Sequence, residues 1–528
     1  DSEHHPRRSA EHEDRWRATG SGNPAMSNAF CTLGSLLDGF TQSPEQWAAQ
    51  PVQGLSMDSR AVQPGDLFCA VRGGQRHGLD FLDAVRASGA AAAIWEPPYH
   101  GSLPIDTGKW PLLAVPDLGQ KLGRIASRFY GEPSQHIQVV GITGTDGKTS
   151  CAHFIAQALS DPETGPCGLL GTLGSGVYGA VAAGLHTTPD PIHVQRWLAG
   201  LAATGRRYAA MEVSSHALDQ GRVNGVRFAV AALTQLSRDH LDYHGTVEVY
   251  ATAKRRLFTD HTPRWAVLNL DDPFGRTLAD DPALQARIIG YGLGERPARL
   301  KHFVWGESLR LSPTGLEMTV ASSWGAGELR AGLLGRFNVH NLLAALATLL
   351  ALELPFDEVL ARLAHTAPVA GRMERLGGGP GQPLVVIDYA HTPHALEQAL
   401  TALREHRAGR LICVFGCGGD RDPGKRPLMG AVVERLADQV IVTDDNPRSE
   451  NPEQIVSAIV AGMQCPDAAT VIHDRRQAIR QALAAAKAGE TVLIAGKGHE
   501  NDQIIGAERL PFSDRAVASQ FLFPEDSI

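Results

Sequence analysis

The sequence predicts an α/β protein of three domains, in which the central domain has a mostly parallel, doubly wound sheet. Strand-like and helical segments alternate along most of the chain, which is the pattern of a parallel sheet covered by helices. The length of 528 residues suits three domains, because domains commonly run about 100–200 residues. The segment 138–150, QVVGITGTDGKTS, reads as a strand, a glycine turn and a helix start, which is typical of a P-loop-type domain.

The domain boundaries follow changes of pattern along the chain. Residues 1–26 are polar and charged, which predicts a disordered extension without a signal peptide, and Met26 is the expected natural start. We predict an N-terminal domain at 27–117, a central domain at 118–367 and a C-terminal domain at 368–528.

Short strands and helices are predicted in each domain from the periodicity of apolar residues. The predicted strands are 67–71, 90–95, 168–170, 208–213, 230–233, 266–269, 384–387, 410–415, 439–442 and 491–494. The predicted helices are 81–87, 118–129, 341–352, 395–405 and 475–487. Residues 285–335 change character and predict an antiparallel excursion, with short strands at 303–305, 309–311 and 316–320.

Composition and charge exclude several classes of protein. Hydrophobic residues make up 43% of the chain and charged residues 20%, as in globular proteins. The net charge of −8 gives no general attraction to nucleic acid or anionic membranes, so we expect no nucleic-acid partner and no membrane insertion. The seven cysteines are scattered and include no CxxC pair, which predicts reduced thiols in a cytoplasmic protein.

The stretch 138–150 carries the clearest chemical pattern. Gly144 and Gly147 predict a tight turn whose backbone can approach an anion, and the N–H groups of the following helix start would face it. Lys148 can reach terminal phosphates, and Thr149 carries a hydroxyl that can bind magnesium. The strict nucleotide-loop pattern has a Gly where this chain has Ile, so this is the shorter form GTDGKT. The alternative is an ordinary glycine-rich turn between a strand and a helix.

Acidic and basic side chains follow successive strands of the predicted central sheet. Glu212 comes at the end of one strand, His240 lies in SRDHLDYHG after the next, and Lys254 follows on a helix. Open parallel sheets bind ligands at the carboxyl ends of their strands, so these groups predict a shared active site. Each of them alone would usually be structural.

Several motifs together resemble one known family. The chain looks like the Mur ligases, the ATP-dependent amide-forming enzymes of peptidoglycan synthesis, in GITGTDGKTS, HTTPD, MEVSSHALDQGRV, SRDHLDYHG, YATAKRRLF and GRFNVHN. The branch that adds the third amino acid is indicated by DYAHTPHAL, FGCGGDRDPGKRPLMG, TDDNPR and AGKGHE. The resemblance implies an N-terminal UDP-binding domain, a central ATP-binding domain and a C-terminal, Rossmann-like domain that binds an amino acid.

The resemblance also implies roles for the matching residues. ATP would be bound by Gly144, Thr145, Asp146, Gly147, Lys148, Thr149 and Ser150, with Asn338 and Asn341 on the adenine side, Arg372 and Asp388 at the ribose and phosphates, and His391 nearby. Magnesium would be held by Thr149, Glu212, His240 and Lys254, the last carbamylated on its ε-amine to become a carboxylate-like ligand. The implied catalytic residues are Lys148, Glu212, His240 and Lys254. UDP-muramoyl-dipeptide would be held at its uridine end by Met57, Ser59, Gly74, Gln75 and Arg76, and elsewhere by His186, Thr187, Thr188, Ser214, Gln220 and Arg222.

The amino-acid substrate is indicated by Asp445, Asn446, Pro447 and Arg448. A carboxylate can pair with an ammonium group, and Arg can bind a carboxylate in bidentate fashion. meso-Diaminopimelate offers both charges at its far end whereas lysine offers only an amine, so the Arg favours diaminopimelate. The resemblance adds further contacts from Arg421, Gly496 and Glu500. By itself DNPR could also be a capped turn before a helix.

The implied enzyme uses ATP and Mg²⁺ to convert the D-glutamate carboxylate of UDP-N-acetylmuramoyl-L-alanyl-D-glutamate into an acyl phosphate, which the diaminopimelate amine attacks. We expect a monomer whose third domain closes before chemistry. A lysine-adding sister ligase, folylpolyglutamate synthase and a catalytically silent nucleotide-binding protein are the alternatives. Asp146 departs from the family's usual Asn, and its charge should weaken nucleotide binding unless it points away or meets Mg²⁺.

Overall fold

The computed structural model describes residues 31–74, 76–101, 110–298, 300–406 and 409–523. The predicted extension at 1–26 and the candidate residue Gln75 lie outside the described residues. The chain divides into two compact units. One unit holds the described part of 1–145 together with 159–266 and 277–287; the other holds 146–158, 267–276 and the described part of 288–528. The three predicted domain boundaries therefore stay predictions.

Strands and helices alternate in both units, which confirms the α/β class. The strands are Cys31–Thr32, Pro51–Val52, Gly54–Ser56, Asp66–Ala70, Ala92–Trp95, Leu112–Ala114, Gln138–Thr143, Gly168–Gly171, Gly174–Val177, Ala180–Ala182, Tyr208–Glu212, Phe228–Leu233, Trp265–Asn269, Arg287–Gly292, Phe303–Ser312, Gly315–Ser322, Gly325–Ala331, Glu374–Gly377, Leu384–Asp388, Leu411–Phe415, Gln439–Val442, Ala469–Val471, Thr491–Ala495, Asp502–Ile505 and Glu508–Pro511.

The α-helices are Leu33–Leu37, Glu45–Ala48, Leu82–Ala87, Leu118–Phe129, Lys148–Leu159, Pro191–Ala203, Ser215–Asp219, Leu241–His244, Val247–Thr259, Pro273–Ala279, Arg336–Ala351, Phe356–Ala364, Pro393–Glu405, Lys425–Leu436, Pro452–Val460, Arg475–Ala485 and Asp514–Leu522. Short 3₁₀ helices span Gly78–Phe81, Pro133–Gln135 and Pro466–Ala468. In the described parts of the chain, no helix combines the length and apolar character needed to cross a membrane.

The first unit contains two groups of parallel strands. Its smaller sheet has the order Gly54–Ser56, Asp66–Ala70, Ala92–Trp95 and Leu112–Ala114, all parallel. The larger group has the order Gly168–Gly171, Tyr208–Glu212, Gln138–Thr143 and Phe228–Leu233, also parallel. Most residues of these strands are buried, as expected for parallel sheets covered on both faces. Met57, Gly144 and Glu212 come at or directly after the carboxyl ends of three of these strands.

The second unit contains the predicted antiparallel excursion and a separate parallel sheet. Phe303–Ser312, Gly315–Ser322 and Gly325–Ala331 pair in antiparallel fashion. The prediction of two short strands at 303–305 and 309–311 is wrong, because one strand runs through both. Its register shifts between Glu307 and Arg310, where Ser308 has a φ of 49°, and this bulge interrupts the alternation that the sequence shows.

The C-terminal sheet has five parallel strands and one antiparallel edge strand. Its order is Glu374–Gly377, Leu384–Asp388, Thr491–Ala495, Leu411–Phe415, Gln439–Val442 and Ala469–Val471. Apolar clusters cover both faces, as the alternating α/β pattern requires. The hairpin of Asp502–Ile505 and Glu508–Pro511 follows the sheet, and the apolar periodicity did not predict it.

Candidate active site

The predicted phosphate loop connects the strand Gln138–Thr143 to the helix Lys148–Leu159. Gly144 and Gly147 have φ angles of 147° and 82°, which side chains with a Cβ rarely adopt. A Cβ on Gly144 would also overlap the Thr234 hydroxyl. The turn therefore requires glycine for both conformation and space, and the first N–H groups of the helix follow it directly.

Thr145 fixes the first half of this loop to neighbouring segments. Its N–H donates to the Gln235 carbonyl at 2.8 Å, and its Oγ1 accepts from the Ser237 N–H at 3.0 Å. The same Oγ1 lies 3.1 Å from the Tyr250 hydroxyl. Asp146 is exposed, so water can solvate the charge that departs from the family pattern.

Lys254 is a buried lysine that contacts the predicted phosphate loop and Tyr250. Its side chain is 1% exposed on the helix Val247–Thr259. Its Nζ donates to the Gly144 carbonyl at 2.8 Å and lies 4.4 Å from the centre of the Tyr250 ring. A buried ammonium group is costly without such partners. Lys254 is therefore no exposed helix lysine, and it contacts the first glycine of the phosphate loop.

Glu212 ends the strand Tyr208–Glu212 with its side chain 1% exposed. One carboxylate oxygen accepts from the Thr172 N–H at 2.8 Å, and the other accepts from the Thr172 hydroxyl at 3.2 Å. That hydroxyl lies 3.2 Å from Oγ1 of Thr187. The structure therefore brings the predicted metal ligand Glu212 close to Thr187, which was predicted to hold the dipeptide.

His240 precedes the short helix Leu241–His244 in a left-handed conformation, with a φ of 52°. Its ring lies 5.0 Å from that of His216 and 6.1 Å from that of Tyr250, centre to centre. Burial lowers the pKa of His216, and the adjacent His240 and His244 lower it further. Burial also lowers the pKa of His244. Both neighbours of His240 are thus held neutral near pH 7.

The donor chemistry of this region fits magnesium only in part. Mg²⁺ prefers hard oxygen ligands, and Glu212 supplies a buried carboxylate. Within the described residues, no group of three or more His, Cys, Asp and Glu side chains is placed to hold a metal. An unmodified Lys254 is a cation and cannot ligate a metal ion, whereas its carbamate would add oxygen ligands. A complete set therefore needs that carbamate or substrate oxygens.

The residues predicted to hold the dipeptide form a connected group. Arg222 donates to the Thr188 carbonyl at 2.7 Å, and to Oε1 of Gln220 at 2.7 and 3.0 Å. Oγ1 of Thr188 accepts from the Ser214 N–H at 3.1 Å and donates to the carbonyl of Glu212 at 2.8 Å. His186 is exposed. The structure thus joins Thr188, Ser214, Gln220 and Arg222 directly to the strand that carries Glu212.

The predicted uridine loops follow two neighbouring parallel strands of the smaller sheet. Met57 and Ser59 come after Gly54–Ser56, and Met57 packs partly against the apolar core. After Asp66–Ala70 the chain reaches Gly74 and Arg76, within a turn closed by the Gly73 N–H donating to the Arg76 carbonyl at 3.0 Å. The two loops therefore belong to one edge of this sheet.

Asn338 and Asn341 are buried on the helix Arg336–Ala351. The Asn338 amide donates to the Leu334 carbonyl at 2.8 Å, and the Asn341 amide donates to Oδ1 of Asn338 at 2.9 Å. Sγ of Cys151 lies 3.4 Å from Oδ1 of Asn341. This contact places the asparagine pair against the helix that begins at the phosphate loop, while its adenine role stays a prediction.

Arg372 and Asp388 surround Tyr389 at the edge of the C-terminal sheet. The Asp388 carboxylate accepts from the N–H groups of Met373 and Ala390, both at 2.8 Å. Burial raises the pKa of Asp388 against the opposing effect of Arg372. The Arg372 guanidinium lies 4.6 Å from the centre of the Tyr389 ring.

Arg372 also acts on His153 of the helix Lys148–Leu159. Burial lowers the pKa of His153 to about 4, and the charge of Arg372 contributes to that shift. Within the second unit, the predicted ribose and phosphate contacts therefore lie near the helix of the phosphate loop.

The predicted amino-acid site is centred on the segment 445–448. Arg448 has a φ of 53°, and its guanidinium donates to the Gly419 carbonyl at 2.7 Å. The Asn446 amide donates to Oε2 of Glu500 at 2.9 Å. A Cβ on Gly496, whose φ is 113°, would lie 2.5 Å from Oδ2 of Asp445. The structure thus brings Asn446 to Glu500 and Asp445 to Gly496.

Arg421 and Pro447 complete the predicted amino-acid site. Arg421 is exposed and donates to the carbonyl of Asp420 at 3.0 Å. Pro447 is buried, and a Cβ on Gly419 would overlap its carbonyl. The glycines of GCGG therefore allow close packing of the two loops.

Sequence reasoning did not select several polar residues of these regions: Thr172 beside Glu212, Tyr250 beside Lys254, His340 at 2.9 Å from Asp271, Tyr389 beside Arg372, and Lys497 beside Glu500. Tyr389, His340 and Lys497 stand within motifs that were recognised. The partner of His340, Asp271, lies 69 residues away, so no local pattern identified that contact. Lys497 lies only three residues from Glu500 and was not selected from its motif.

Comparison with known proteins gives consistent matches. The description "Mur ligase family, catalytic domain" matches residues 51–130, "Mur ligase middle domain" matches 142–349, and "Mur ligase, glutamate ligase domain" matches 371–498. A protein of Ectopseudomonas mendocina (strain ymp) named UDP-N-acetylmuramoyl-L-alanyl-D-glutamate–2,6-diaminopimelate ligase is 51% identical over 472 residues, covering 89% of this chain and 95% of its own length.

Two further relatives carry the same name. The Pseudomonas aeruginosa protein is 50% identical over 471 residues, covering 89% of this chain and 95% of its own length. A solved structure with this name is 35% identical with a TM-score of 0.71, covering 94% of this chain and 100% of its own.

Proposed function

The chain belongs to the Mur ligase family, and we propose that it joins meso-diaminopimelate to the D-glutamate side chain of UDP-N-acetylmuramoyl-L-alanyl-D-glutamate, with ATP as the energy source. Its relatives at about half identity carry the name of this ligase. The observation that carries the choice of amino acid is the hydrogen bond from Asn446 to Glu500, which brings the segment that carries Arg448 to a carboxylate. A site with a guanidinium and a carboxylate would complement an amino-acid end that bears both charges.

The proposed first step transfers the γ-phosphoryl group of ATP to the D-glutamate carboxylate. The backbone N–H groups of 144–150 would bind the phosphates, and Lys148 would neutralise negative charge that develops during transfer. Thr187, Thr188 and Arg222 would orient the dipeptide, so that its carboxylate meets the phosphoryl group. The product of this step is an acyl phosphate.

In the proposed second step the diaminopimelate amine attacks the acyl phosphate, and phosphate leaves. Glu500 would bind the distal ammonium group and Arg448 the distal carboxylate, which positions the reacting amine. No side-chain nucleophile is required. The contribution of this chain is therefore orientation and charge neutralisation.

Magnesium would neutralise the phosphate charge when bound. Glu212 and Thr149 are oxygen donors suited to it, and carbamylated Lys254 would be a third. His240, beside the two neutral histidines, would complete the set. We further propose a cytoplasmic, monomeric enzyme, which suits a nucleotide-linked substrate and a chain of net charge −8.

A coupling assay tests the proposal. The purified protein receives ATP, Mg²⁺ and the UDP-linked dipeptide with either meso-diaminopimelate or L-lysine, and ADP release and product mass are measured. We expect kcat/KM for diaminopimelate to exceed that for lysine by at least about 100-fold, because lysine leaves Arg448 without its carboxylate. Preference for lysine would indicate the sister ligase. Nucleotide binding without any product would indicate a catalytically silent protein.

Lys254→Ala tests the metal region in the same assay. We expect a loss of at least about 100-fold in kcat, the size of effect caused by removing one electrostatic group from an active site. The exposed Lys301→Ala is the matched control and should be fully active. Full activity of Lys254→Ala in bicarbonate-depleted buffer would remove the basis for a carbamylated ligand.

A further inference from the structure

Lys497 is a fully buried lysine in the AGKGHE motif, and it lies between two residues of the predicted amino-acid site. Its side chain is 0% exposed. Its Nζ donates to Oδ1 of Asn446 and to Oε2 of Glu500, both at 2.9 Å. We propose that Lys497 is a positioning residue for amino-acid specificity, because it holds the Glu500 carboxylate directly and the backbone of Arg448 through Asn446. This proposal rests on the proposed function.

The first consequence concerns the orientation of the Asn446 amide. Its Oδ1 accepts from Lys497 and also from the Ile504 N–H at 3.0 Å. Both partners are donors, so this atom has to be the carbonyl oxygen. The NH₂ group must then face Glu500, to which it donates at 2.9 Å. Lys497 thus selects one of the two possible amide orientations.

The second consequence concerns the charge of Glu500. Burial is the largest single influence and acts to raise the pKa of its carboxyl, but the hydrogen bond and charge of Lys497, the hydrogen bond of Asn446 and the charge of His499 together lower it. Oε2 is occupied by Lys497 and Asn446. Within the described part of the chain, Oε1 has no hydrogen-bond partner, and the side chain is 28% exposed. Lys497 therefore keeps Glu500 ionised with one oxygen available to a ligand ammonium group.

The third consequence concerns Arg448. The strand Asp502–Ile505, held through Ile504 by Asn446, also binds the backbone of Arg448. The Arg448 N–H donates to the Ile504 carbonyl at 3.1 Å, and the Gly506 N–H donates to the Arg448 carbonyl at 2.8 Å. These bonds on both sides hold Arg448 at its φ of 53°. Lys497 is therefore linked directly to the Glu500 carboxylate and, through Asn446 and Ile504, to the backbone of Arg448.

Lys497→Met tests this assignment, because methionine keeps an unbranched apolar stem without the charge. We expect KM for diaminopimelate to rise by about 10- to 100-fold, as for loss of one or two hydrogen bonds to charged groups. The preference for diaminopimelate over lysine should fall about tenfold. KM for ATP and for the UDP-linked dipeptide should stay within about twofold of the wild type, since their predicted residues do not contact Lys497.

Leu483→Ala controls for a general loss of stability. Leu483 is 2% exposed in an apolar cluster of the same sheet that contains none of the three site residues. Its variant should lower the melting temperature and leave substrate preference unchanged. If Lys497→Met does not fold, Lys497→Gln, which keeps a donor without the charge, replaces it. An unchanged KM for diaminopimelate, or equal changes for all three substrates, would overturn the assignment.

The two proposals fail in different measurements. If the wild type uses lysine and not diaminopimelate, the proposed function fails. The Lys497 variants are then measured with lysine, and a selective rise in its KM would still support the positioning role. If the wild type prefers diaminopimelate and the variants keep that preference and KM, only the role of Lys497 fails.

Discussion

Gly496→Ala is a sharp test of the amino-acid site, because it perturbs Asp445 without removing a functional group. Gly496 follows the strand Thr491–Ala495 with a φ of 113°. Its N–H donates to the carbonyl of Asp388 at 3.1 Å. An alanine Cβ would lie 2.5 Å from Oδ2 of Asp445, which is closer than carbon and oxygen can pack. The Asp445 carboxylate must therefore move.

The free-energy cost of Gly496→Ala has two parts that can be separated, the backbone strain of the alanine and its overpacking against Asp445. A side chain in a left-handed conformation costs roughly 1–2 kcal/mol, which lowers stability wherever it occurs. Overpacking against Asp445 adds about 1–3 kcal/mol. If that second contribution falls on diaminopimelate binding, KM for diaminopimelate should rise about 5- to 150-fold, because each 1.4 kcal/mol is a factor of ten.

Gly489→Ala is the matched control, in the turn directly before the strand Thr491–Ala495. Gly489 has a φ of 82°, and a Cβ there would meet no atom within 4 Å. It should show the loss of stability alone, measured by urea unfolding, with KM for diaminopimelate unchanged. Equal KM values for the two variants would refute the reasoning, because the displacement of Asp445 would then have no effect on substrate binding.

Three further predictions concern stability and nucleotide binding. Asp514→Ala leaves the guanidinium of Arg475, 0% exposed, without its carboxylate and should lower the free energy of unfolding by about 3–5 kcal/mol. His153 has a pKa lowered from 6.5 to about 4, so the unfolded chain binds more protons between these values. The contribution of His153 to the free energy of unfolding should be complete above pH 6.5 and fall by about 3 kcal/mol toward pH 4. His153→Gln should flatten this pH dependence of the free energy of unfolding, measured by urea unfolding. Asp146→Asn should lower KM for ATP by up to about fivefold, because it removes an exposed negative charge from the phosphate loop.

Each of these predictions has a control or a contrary outcome. The exposed pair of Arg435 and Glu397 is the control for Asp514, and Arg435→Ala should cost only about 0–1 kcal/mol. If the free energy of unfolding falls equally in wild type and His153→Gln between pH 6.5 and pH 4, groups other than His153 govern stability in that range. A higher KM for ATP in Asp146→Asn would mean that the carboxylate assists nucleotide binding.

Short segments with a clear apolar period were the most predictable part of the fold. The strand Gln439–Val442 and the helix Leu118–Phe129 have the bounds that the sequence predicts. In each segment the spacing of the apolar residues predicts which of them are buried, so its bounds can be predicted without knowing what it packs against. The hairpin of Asp502–Ile505 and Glu508–Pro511 was missed because its residues are exposed or half-buried, and half-buried strands of four residues give little apolar alternation.

The candidate site shows the same division between local and distant information. The glycine turn at 144–147 could be predicted, because conformation and sequence coincide over a few residues. The Gly144 carbonyl, however, accepts from Lys254, 110 residues later, and that contact depends on how the strands are ordered. The missed hairpin has a comparable consequence, since its Ile504 fixes both Asn446 and Arg448. We therefore expect specificity in the proposed amino-acid site to depend on the strand Asp502–Ile505 and the buried Lys497 as well as on the DNPR side chains, so that substitutions outside that motif should alter substrate choice.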